Sequence, residues 1–383
     1  MKPQIKTINL RRLSSGDLLT LQVYQFLGKK LGKKTYLQAN LHGAEIVGNV
    51  VIKEIFDWLC QLDSSQLNGE IWLVPACNPV GMNQRSHFFN SGRYNSYDGK
   101  DWNRIFWDYD QENENLEQFA KVHFAESPET IYQTYLQKIQ QQFQVQLEFT
   151  QQSSYLSYPA KYQQVLQSLC LDANYVIDIH SSSNQGVDYL FTFPGQEEQT
   201  KAFLLDVGLL VDEPTGYTFD EAFIKPWLSL ENAFLKLGRK IKFEVASWTL
   251  ELGSGMTANA ESVKKGVRGI KNYLASLGIV QVSDFPLTET KTYPLQLVSK
   301  DRLKRYYAPT GGIIQNCADL KQAVVAGETV YQVLALNKPA EKPDLVNIKA
   351  ENSGWIFDRA TNQGVNEGEY VLTILEEEGK NHE

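Results

Sequence analysis

The chain has 383 residues, of which 42% are hydrophobic and 21% charged, so it is long enough for one large and one smaller globular domain. Its net charge of −8, with no cluster of Lys or Arg, excludes a general nucleic-acid-binding protein, and the lack of an apolar run of about 18 residues excludes a membrane-spanning helix. Four widely spaced cysteines and a start without a signal-peptide pattern predict free thiols in a cytoplasmic protein.

The first elements predict an α/β fold. Residues 5–27 have the pattern of an antiparallel hairpin around a turn at 14–17. Segment 35–41 is β-branched and aromatic, and the apolar period changes from two to about 3.6 after Gly43, which predicts a strand followed by a helix. A further buried strand over 71–75 completes the order strand, helix, strand. That order is typical of a mixed, mainly parallel sheet covered by helices on both faces.

A long segment with neither helical nor strand periodicity, residues 77–104, comes next. It is rich in Asn, Gly, Arg and aromatic residues, and ordered loops of this length are usually functional. Arg93 and Arg104 are candidate anion-binding residues, because a guanidinium pairs with a carboxylate or a developing oxyanion. Surface ion pairs are the alternative for both arginines.

Residues 108–172 are predicted to form a helical insertion. The glutamine-rich part, 137–152, has an apolar face at helical spacing. The face consists of Leu136, Ile139, Phe143 and Leu147. We expect it to pack against the same domain or against a second copy in a homodimer, and a lid over a binding site is a further alternative.

Two predicted strands end in histidine: segment 35–41 at His42 and segment 175–179 at His180. Ligands of open α/β sheets bind at the carboxyl ends of the strands, so these histidines are expected near each other and near Glu45. Two imidazoles and one carboxylate form the ligand set of a catalytic Zn²⁺ site with an open position for water. His-x-x-Glu alone arises often by chance, and the second strand-end histidine is what favours a metal site.

An acid in a strand over 246–253 completes the candidate site. Glu251 precedes a Gly253-Ser254-Gly255 turn, where a carboxylate is either salt-bridged or catalytic. A zinc hydrolase needs one carboxylate to accept a proton from water, and Glu251 is the candidate. A helix over 259–276 then closes a first domain predicted to span residues 1–288.

An internal repeat marks the rest of the chain, residues 289–383, as a separate domain. Segments 311–315 and 325–334 recur as 353–357 and 365–375. Two copies of strand, turn and strand predict a small all-β barrel-sandwich domain of two interlocked halves. It resembles the carrier domains of biotin and lipoate but has no Lys at the hairpin tip, so we expect a structural or gating role.

In combination these motifs resemble the succinylglutamate desuccinylase/aspartoacylase family, the acyl-amino-acid branch of the zinc carboxypeptidase fold. The resemblance covers nearly the whole chain. It rests on His-Gly-x-Glu at His42 and Glu45, Asn-Pro at Asn78 and Pro79, Arg-Tyr at Arg93 followed by Asp-x-Asn-Arg ending at Arg104, Asp-x-His-Ser at His180, and a strand carrying Glu251.

The resemblance implies a role for each matching residue. The zinc ligands would be His42, Glu45 and His180, and Glu251 would be the general base.

The loop residues match substrate-binding positions of the family. Arg93 matches the arginine that polarises the scissile carbonyl, and Asn103 with Arg104 matches the pair that holds the substrate carboxylate. Asp101 matches an acid that orients a zinc-binding histidine.

The implied activity is zinc-dependent hydrolysis of the amide bond of an N-acyl amino acid, with one Zn²⁺ per chain and a small substrate bearing a free carboxylate. The alternatives are a metallocarboxypeptidase acting on a short peptide and a non-catalytic binding protein on the same fold. Trp102 replaces an aliphatic residue of the family and is expected near the pocket, as is the glutamine-rich insertion. The acyl group and the amino acid therefore stay open.

Overall fold

The structure, a computed structural model, describes residues 1–109, 115–152, 157–287, 295–336 and 342–377. The strands up to residue 299 are β1 (Gln4–Arg12), β2 (Leu18–Leu27), β3 (Lys30–Ala39), β4 (Asn68–Val74), β5 (Arg85–Ser86), β6 (Phe89–Asn90), β7 (Tyr175–Ser182), β8 (Gln185–Gly186), β9 (Tyr189–Thr192), β10 (Val207–Leu210), β11 (Ala246–Ser254) and β12 (Gln296–Ser299). The α-helices are α1 (Val47–Gln61), α2 (Pro79–Asn83), α3 (Leu116–Val122), α4 (Pro128–Gln152), α5 (Tyr158–Cys170), α6 (Glu197–Thr200), α7 (Phe219–Lys236) and α8 (Ala260–Ser276). The later strands are β13 (Leu303–Tyr307), β14 (Gly312–Gln315), β15 (Ala323–Val324), β16 (Thr329–Ala335), β17 (Asp344–Lys349), β18 (Gly354–Arg359), β19 (Gly364–Val365) and β20 (Tyr370–Glu376).

A nine-stranded sheet with the order β1-β2-β4-β3-β7-β11-β9-β10-β12 forms the centre of the molecule. Its central run β4-β3-β7-β11 is parallel, as are the pairs β9·β10 and β10·β12, whereas β1, β2 and the β11·β9 pair are antiparallel. The prediction of a mixed, mainly parallel sheet is confirmed. The hairpin expected over 5–27 is the pair β1·β2.

Helices cover the sheet on both faces. On one face α1 and α8 bury Val51, Ile55 and Tyr273 against Ile177 and Leu250 of the sheet. On the other face α5 and α7 pack over the opposite side chains of the same strands. Because β7 and β11 lie at the centre of this sandwich, the side chains at their carboxyl ends are shielded from solvent on both sides.

The glutamine-rich helix packs against its own chain. Leu136, Ile139 and Phe143 are all buried, in contact with aromatic residues of α7 and of the segment before α3. The apolar face that gave a reason to expect a homodimer is therefore covered by residues of the same chain. This is the first of the predicted alternatives, packing against the same domain.

Strands β13–β20 form two sheets, β13-β20-β18-β15 and β17-β16-β14-β19, that share one apolar core. The two copies of the predicted repeat are interlocked: β15 of the first copy pairs with β18 of the second, and β19 of the second pairs with β14 of the first. The core includes Tyr331 and Val333 from one sheet and Leu372 and Ile374 from the other. We call these two sheets the β-sandwich, and the barrel-sandwich type predicted for this part of the chain stays a prediction.

The β-sandwich contacts the large sheet close to the carboxyl end of β7. Strand β8, in the loop after β7, pairs with β18, and Phe357 is buried with Val187 and Leu209. The predicted domain boundary at 288/289 falls in residues 288–294, outside the described residues, and β12 beyond it still pairs with β10. A division into residues 1–288 and 289–383 stays a proposal.

Across the described part of the chain, none of the helices combines the length and apolarity needed to cross a bilayer.

Candidate metal centre

The turn after β3 brings His42 and Glu45 together. Asn40 adopts the left-handed conformation (φ 70°), and its side-chain amide donates hydrogen bonds to the carbonyl oxygens of His42 (3.2 Å) and Gly43 (3.1 Å). Gly43 has no room for a side chain, because a Cβ atom there would lie 1.9 Å from the carbonyl oxygen of Gly81. The chain therefore turns tightly at Gly43, with Glu45 in the turn just before α1 begins.

Parallel pairing of β3 with β7 brings the third predicted ligand to the same place. Ala39 lies opposite Ile179, so the residues that follow these two strands meet, and the rings of His42 and His180 are 5.2 Å apart. Nδ1 of His42 lies 3.0 Å from Oε1 of Glu45, and Nδ1 of His180 lies 2.8 Å from its Oε2. The three side chains are buried, and their candidate ligand atoms lie within 4.8 Å of one another.

A second pair of carboxylates holds the outer nitrogens of the two imidazoles. Nε2 of His42 is 2.8 Å from Oδ1 of Asp101, and Nε2 of His180 is 3.0 Å from Oδ2 of Asp178. Such contacts fix the ring orientation and leave the other nitrogen for a metal. The resemblance assigns such an orienting role to Asp101, whereas the role of Asp178 emerges only from the structure. The available signal was the spacing Asp178-x-His180, which puts both side chains on one face of β7.

The charges of this cluster depend on each other. Burial opposes the charge of Glu45, but His42 and His180 outweigh it and hold the pKa of Glu45 well below its ordinary value. Burial likewise opposes protonation of His180, but Asp178 and Glu45 raise the pKa of His180 well above its ordinary value. Each group thus favours the charged form of its neighbours: the carboxylates raise the pKa of the imidazoles, and the imidazoles lower the pKa of Glu45.

Arg93 also lies at the cluster. Its Nε is 3.1 Å from Oδ2 of Asp101, and one terminal nitrogen lies 3.6 Å from Oε1 of Glu45 and donates to Oγ of Ser183 at 3.0 Å. Because its partners Glu45, Asp101 and Ser183 belong to the site, Arg93 does not form the surface ion pair that was the alternative prediction. Its guanidinium lies beside the three candidate ligands, where it can reach the carbonyl oxygen of a bound substrate.

Asn103 and Arg104 lie on the loop beside this cluster, with different surroundings. The amide oxygen of Asn103 accepts a hydrogen bond from the backbone N–H of Phe219 at 2.8 Å, which ties the loop to the start of α7. Arg104 is exposed and donates to the carbonyl oxygen of Asn103 at 2.6 Å, and among the described residues no carboxylate pairs with its guanidinium. Arg104 is thus available to an external anion.

Trp102, expected near the pocket, follows Asp101 in the loop beside the cluster. Its side chain is fully buried and meets the ring of Tyr162 of α5 edge-on, with the ring centroids 5.3 Å apart. Trp102 therefore anchors the loop to the helical layer, while its neighbours Asp101 and Asn103 carry the polar contacts.

Glu251 lies opposite His180 on the neighbouring parallel strand β11. Burial raises the pKa of its carboxyl to about 7, and its Oε2 is buried without a hydrogen-bond partner within the described ranges. A carboxyl group with a pKa near neutrality, close to a metal site and not held by a salt bridge, can both accept and return a proton.

The arrangement fits a zinc ion. Two imidazole nitrogens and a carboxylate oxygen form a compact, buried donor set, and each imidazole is oriented by a further carboxylate, as in known zinc sites. The same residues bind other divalent metals in other proteins, so the donor set by itself fixes the type of site and not the metal.

Comparison with known proteins agrees with this site. Residues 31–154 match the model of the succinylglutamate desuccinylase/aspartoacylase catalytic domain, a segment that includes His42, Glu45 and the loop from Arg93 to Arg104. No curated protein sequence matches the chain.

Solved structures share the fold over almost the full length. A protein of Shewanella frigidimarina named for the same family has 24% identity and a TM-score of 0.87, covering 98% of this chain and 97% of its own. A family protein of Shewanella amazonensis has 24% identity and a TM-score of 0.85, covering 97% and 98%. The ectoine utilization protein EutE (DoeB) of Ruegeria pomeroyi, in a product-bound form, has 16% identity and a TM-score of 0.67, covering 97% and 94%. At these identities the likeness establishes the fold, and the matched model shows that residues 31–154 are similar to the catalytic domain of the succinylglutamate desuccinylase/aspartoacylase family.

Proposed function

We propose that this protein is a zinc-dependent hydrolase that cleaves the amide bond of an N-acyl amino acid. The main support is one arrangement: the buried set of His42, Glu45 and His180, with Glu251 beside it and free of a salt bridge. These three residues would hold a zinc ion, which would supply the Lewis acidity that activates water near neutral pH. Every other group that the reaction needs belongs to the chain.

Glu251 is the proton acceptor and donor in this proposal. Its carboxylate takes a proton from the attacking water and gives it to the leaving amine nitrogen, so the carboxyl group ends each cycle as it began. A pKa of about 7, raised by burial, makes both transfers accessible near neutral pH.

Arg93 stabilises the negative charge that develops on the carbonyl oxygen. Its guanidinium is already oriented by Asp101 and Ser183, so it needs no rearrangement when the charge forms. Two roles thus fall on Asp101, which orients both Arg93 and His42.

The carboxylate of the substrate binds at Asn103 and Arg104. No carboxylate in the described part of the chain pairs with the guanidinium of Arg104, and Asn103 is fixed by its contact with α7. A guanidinium binds a carboxylate through two parallel hydrogen bonds, which selects substrates with a free carboxylate.

The β-sandwich favours a small substrate over a peptide. It contacts the loop directly after His180, where Oγ of Ser182 donates to Asp358 and β8 pairs with β18. The β-sandwich thereby closes one side of the site, which restricts the length of a bound peptide substrate. The described structure thus argues for a deacylase rather than a carboxypeptidase. Because the four cysteines are free thiols, we place the reaction in the cytoplasm.

Elemental analysis of the purified protein, combined with an amine-release assay on N-acetyl and N-succinyl amino acids and on peptides of increasing length, tests this function. We expect about one zinc per chain, and release from the short substrates that stops with a chelator and returns with zinc. Release from long peptides would show a carboxypeptidase instead. Zinc content that does not fall in the His180→Ala variant, or the absence of release from every substrate, would overturn the proposal.

A further inference from the structure

Glu251 pairs with residues on both of its neighbouring strands. It lies opposite His180 on β7 and opposite Tyr189 on β9. Residues that face each other across paired strands point to the same side of the sheet, so these three side chains form one row. The adjacent Leu190 and Leu250 point to the other side, into the core beneath α1 and α8.

The ring of Tyr189 is fixed, and its hydroxyl group is free. The ring packs against Phe357 of the β-sandwich at 4.8 Å and against Phe191 at 5.4 Å between centroids. Among the described residues the hydroxyl has no hydrogen-bond partner. Its oxygen is also not one of the fully buried polar atoms that lack a partner, so it retains some accessible surface. A tyrosine whose ring is held by aromatic contacts, and whose hydroxyl has no partner among the described residues, can donate a hydrogen bond to a ligand.

The charges around the hydroxyl keep it protonated. Burial, together with the carboxylates of Glu251 and Asp358, raises the pKa of Tyr189 well above its ordinary value. At neutral pH the group is therefore a hydrogen-bond donor, and the ligand side must supply an acceptor oxygen.

The position of Tyr189 indicates which part of a substrate it meets. Arg104 follows closely after Asp101, which binds His42 at the end of β3. Tyr189 is on β9, three strands away in the order β3-β7-β11-β9, at about 4.8 Å per strand. In the proposed function the substrate carboxylate binds at Arg104, on the β3 side of the candidate metal centre, so we place the acyl group on the β9 side.

We infer that Tyr189 is a substrate-binding residue that donates a hydrogen bond to the acyl group of the substrate, while Arg104 holds the opposite, amino-acid end. This inference rests on the proposed function and specifies the half of the substrate that the junction with the β-sandwich recognises. It also assigns Phe357 a purpose, because that residue holds the phenol ring in place.

The test is the affinity of 4-oxopentanehydroxamate for the zinc-loaded protein, measured by titration calorimetry. This probe would chelate zinc through its hydroxamate, carries a ketone oxygen in its acyl chain as the acceptor for Tyr189, and has no amino-acid carboxylate. The variant Tyr189→Phe keeps the ring and removes the hydroxyl. Tyr273→Phe is the matched control, because the Tyr273 hydroxyl is buried without a partner within the described ranges, on the other face of the sheet. Zinc content and unfolding temperature are measured for each protein.

We expect Tyr189→Phe to bind the probe about 10-fold more weakly than wild type, the effect of one lost hydrogen bond, with unchanged zinc content, and Tyr273→Phe to bind like wild type. Binding by Tyr189→Phe within twofold of wild type would overturn the role of Tyr189 and leave the proposed function intact. If wild type binds the probe equally with and without zinc, the zinc centre itself is wrong, and the inference is overturned with it.

Discussion

Nε2 of His180 lies 3.0 Å from Oδ2 of Asp178, two residues earlier on the same strand. A carboxylate in this position fixes the imidazole so that Nδ1 points at Glu45, and it strengthens that nitrogen as a ligand. The metal centre therefore depends on an acid that binds no metal itself.

Changing Asp178 to Asn should weaken zinc binding by about 10- to 100-fold, because the amide holds the imidazole less firmly and adds no negative charge. Competition with a chromophoric chelator measures the affinity. Asp172→Asn is the control, since Asp172 is half-exposed and pairs with Lys34 away from the site. Equal zinc affinities of the Asp178 and Asp172 variants would remove Asp178 from the metal centre.

Changing Glu251 to Gln should lower kcat by about 100- to 10,000-fold while zinc remains bound, because the amide cannot accept a proton. Amine release and zinc content are measured on the same preparation. Glu244→Gln, at an exposed position just before β11 where Glu244 pairs with Lys33, should retain activity. Turnover near the wild-type rate in the Glu251 variant would mean that another group is the base.

The stability of the metal-free protein should depend on pH through Glu251. Burial raises the pKa of its carboxyl from 4.5 to about 7, so between these values the folded protein holds a proton that the unfolded chain releases. Its contribution to the free energy of unfolding is complete below pH 4.5 and is lost as the pH rises through 7.

The free energy of unfolding of the Glu251→Gln variant, relative to wild type, should therefore rise by up to about 3 kcal/mol as the pH increases from 4.5 to 7. Denaturant unfolding of chelator-treated protein at a series of pH values measures the difference. Parallel pH profiles for the two proteins would contradict the raised pKa.

Changing Arg104 to Ala should raise KM by about 10-fold or more for substrates with a free carboxylate, because a charged hydrogen-bonded pair is lost. For the same substrates with the carboxylate converted to an amide, the variant and wild type should behave alike. Arg85→Ala in the same loop is the control, because Arg85 is exposed and donates only to backbone carbonyl groups in the described structure. An equal loss on both substrate types would show that Arg104 supports the loop instead.

The candidate metal ligands were predictable because the information is local. His42 and His180 each end a short apolar strand, and Glu45 follows within one turn, so strand prediction alone places the three at one sheet edge. The general position of Glu251 follows in the same way from its strand.

Contacts that depend on the order of strands were out of reach. The sequence shows a strand at Tyr189 but not that it pairs antiparallel with β11, which is what sets Tyr189 beside Glu251. Trp102 shows the same limit, since a bulky residue in a functional loop suggests a pocket wall, and only the position of α5 reveals that it is buried. The apolar face of the glutamine-rich helix around Ile139 was likewise recognisable from the sequence. The residues that pack against it, however, lie far away along the chain.

The interlocked repeat of the β-sandwich has an evolutionary consequence. Phe357 and Asp358, which touch the catalytic sheet, occupy positions that the first copy fills with Gln315 and Asn316 after the equivalent glycines Gly354 and Gly312. The two copies therefore differ at the positions through which the later copy contacts the large sheet. Substitutions at the docking positions of the later copy should track the specificity of each relative, whereas the matching positions of the earlier copy should drift independently of it.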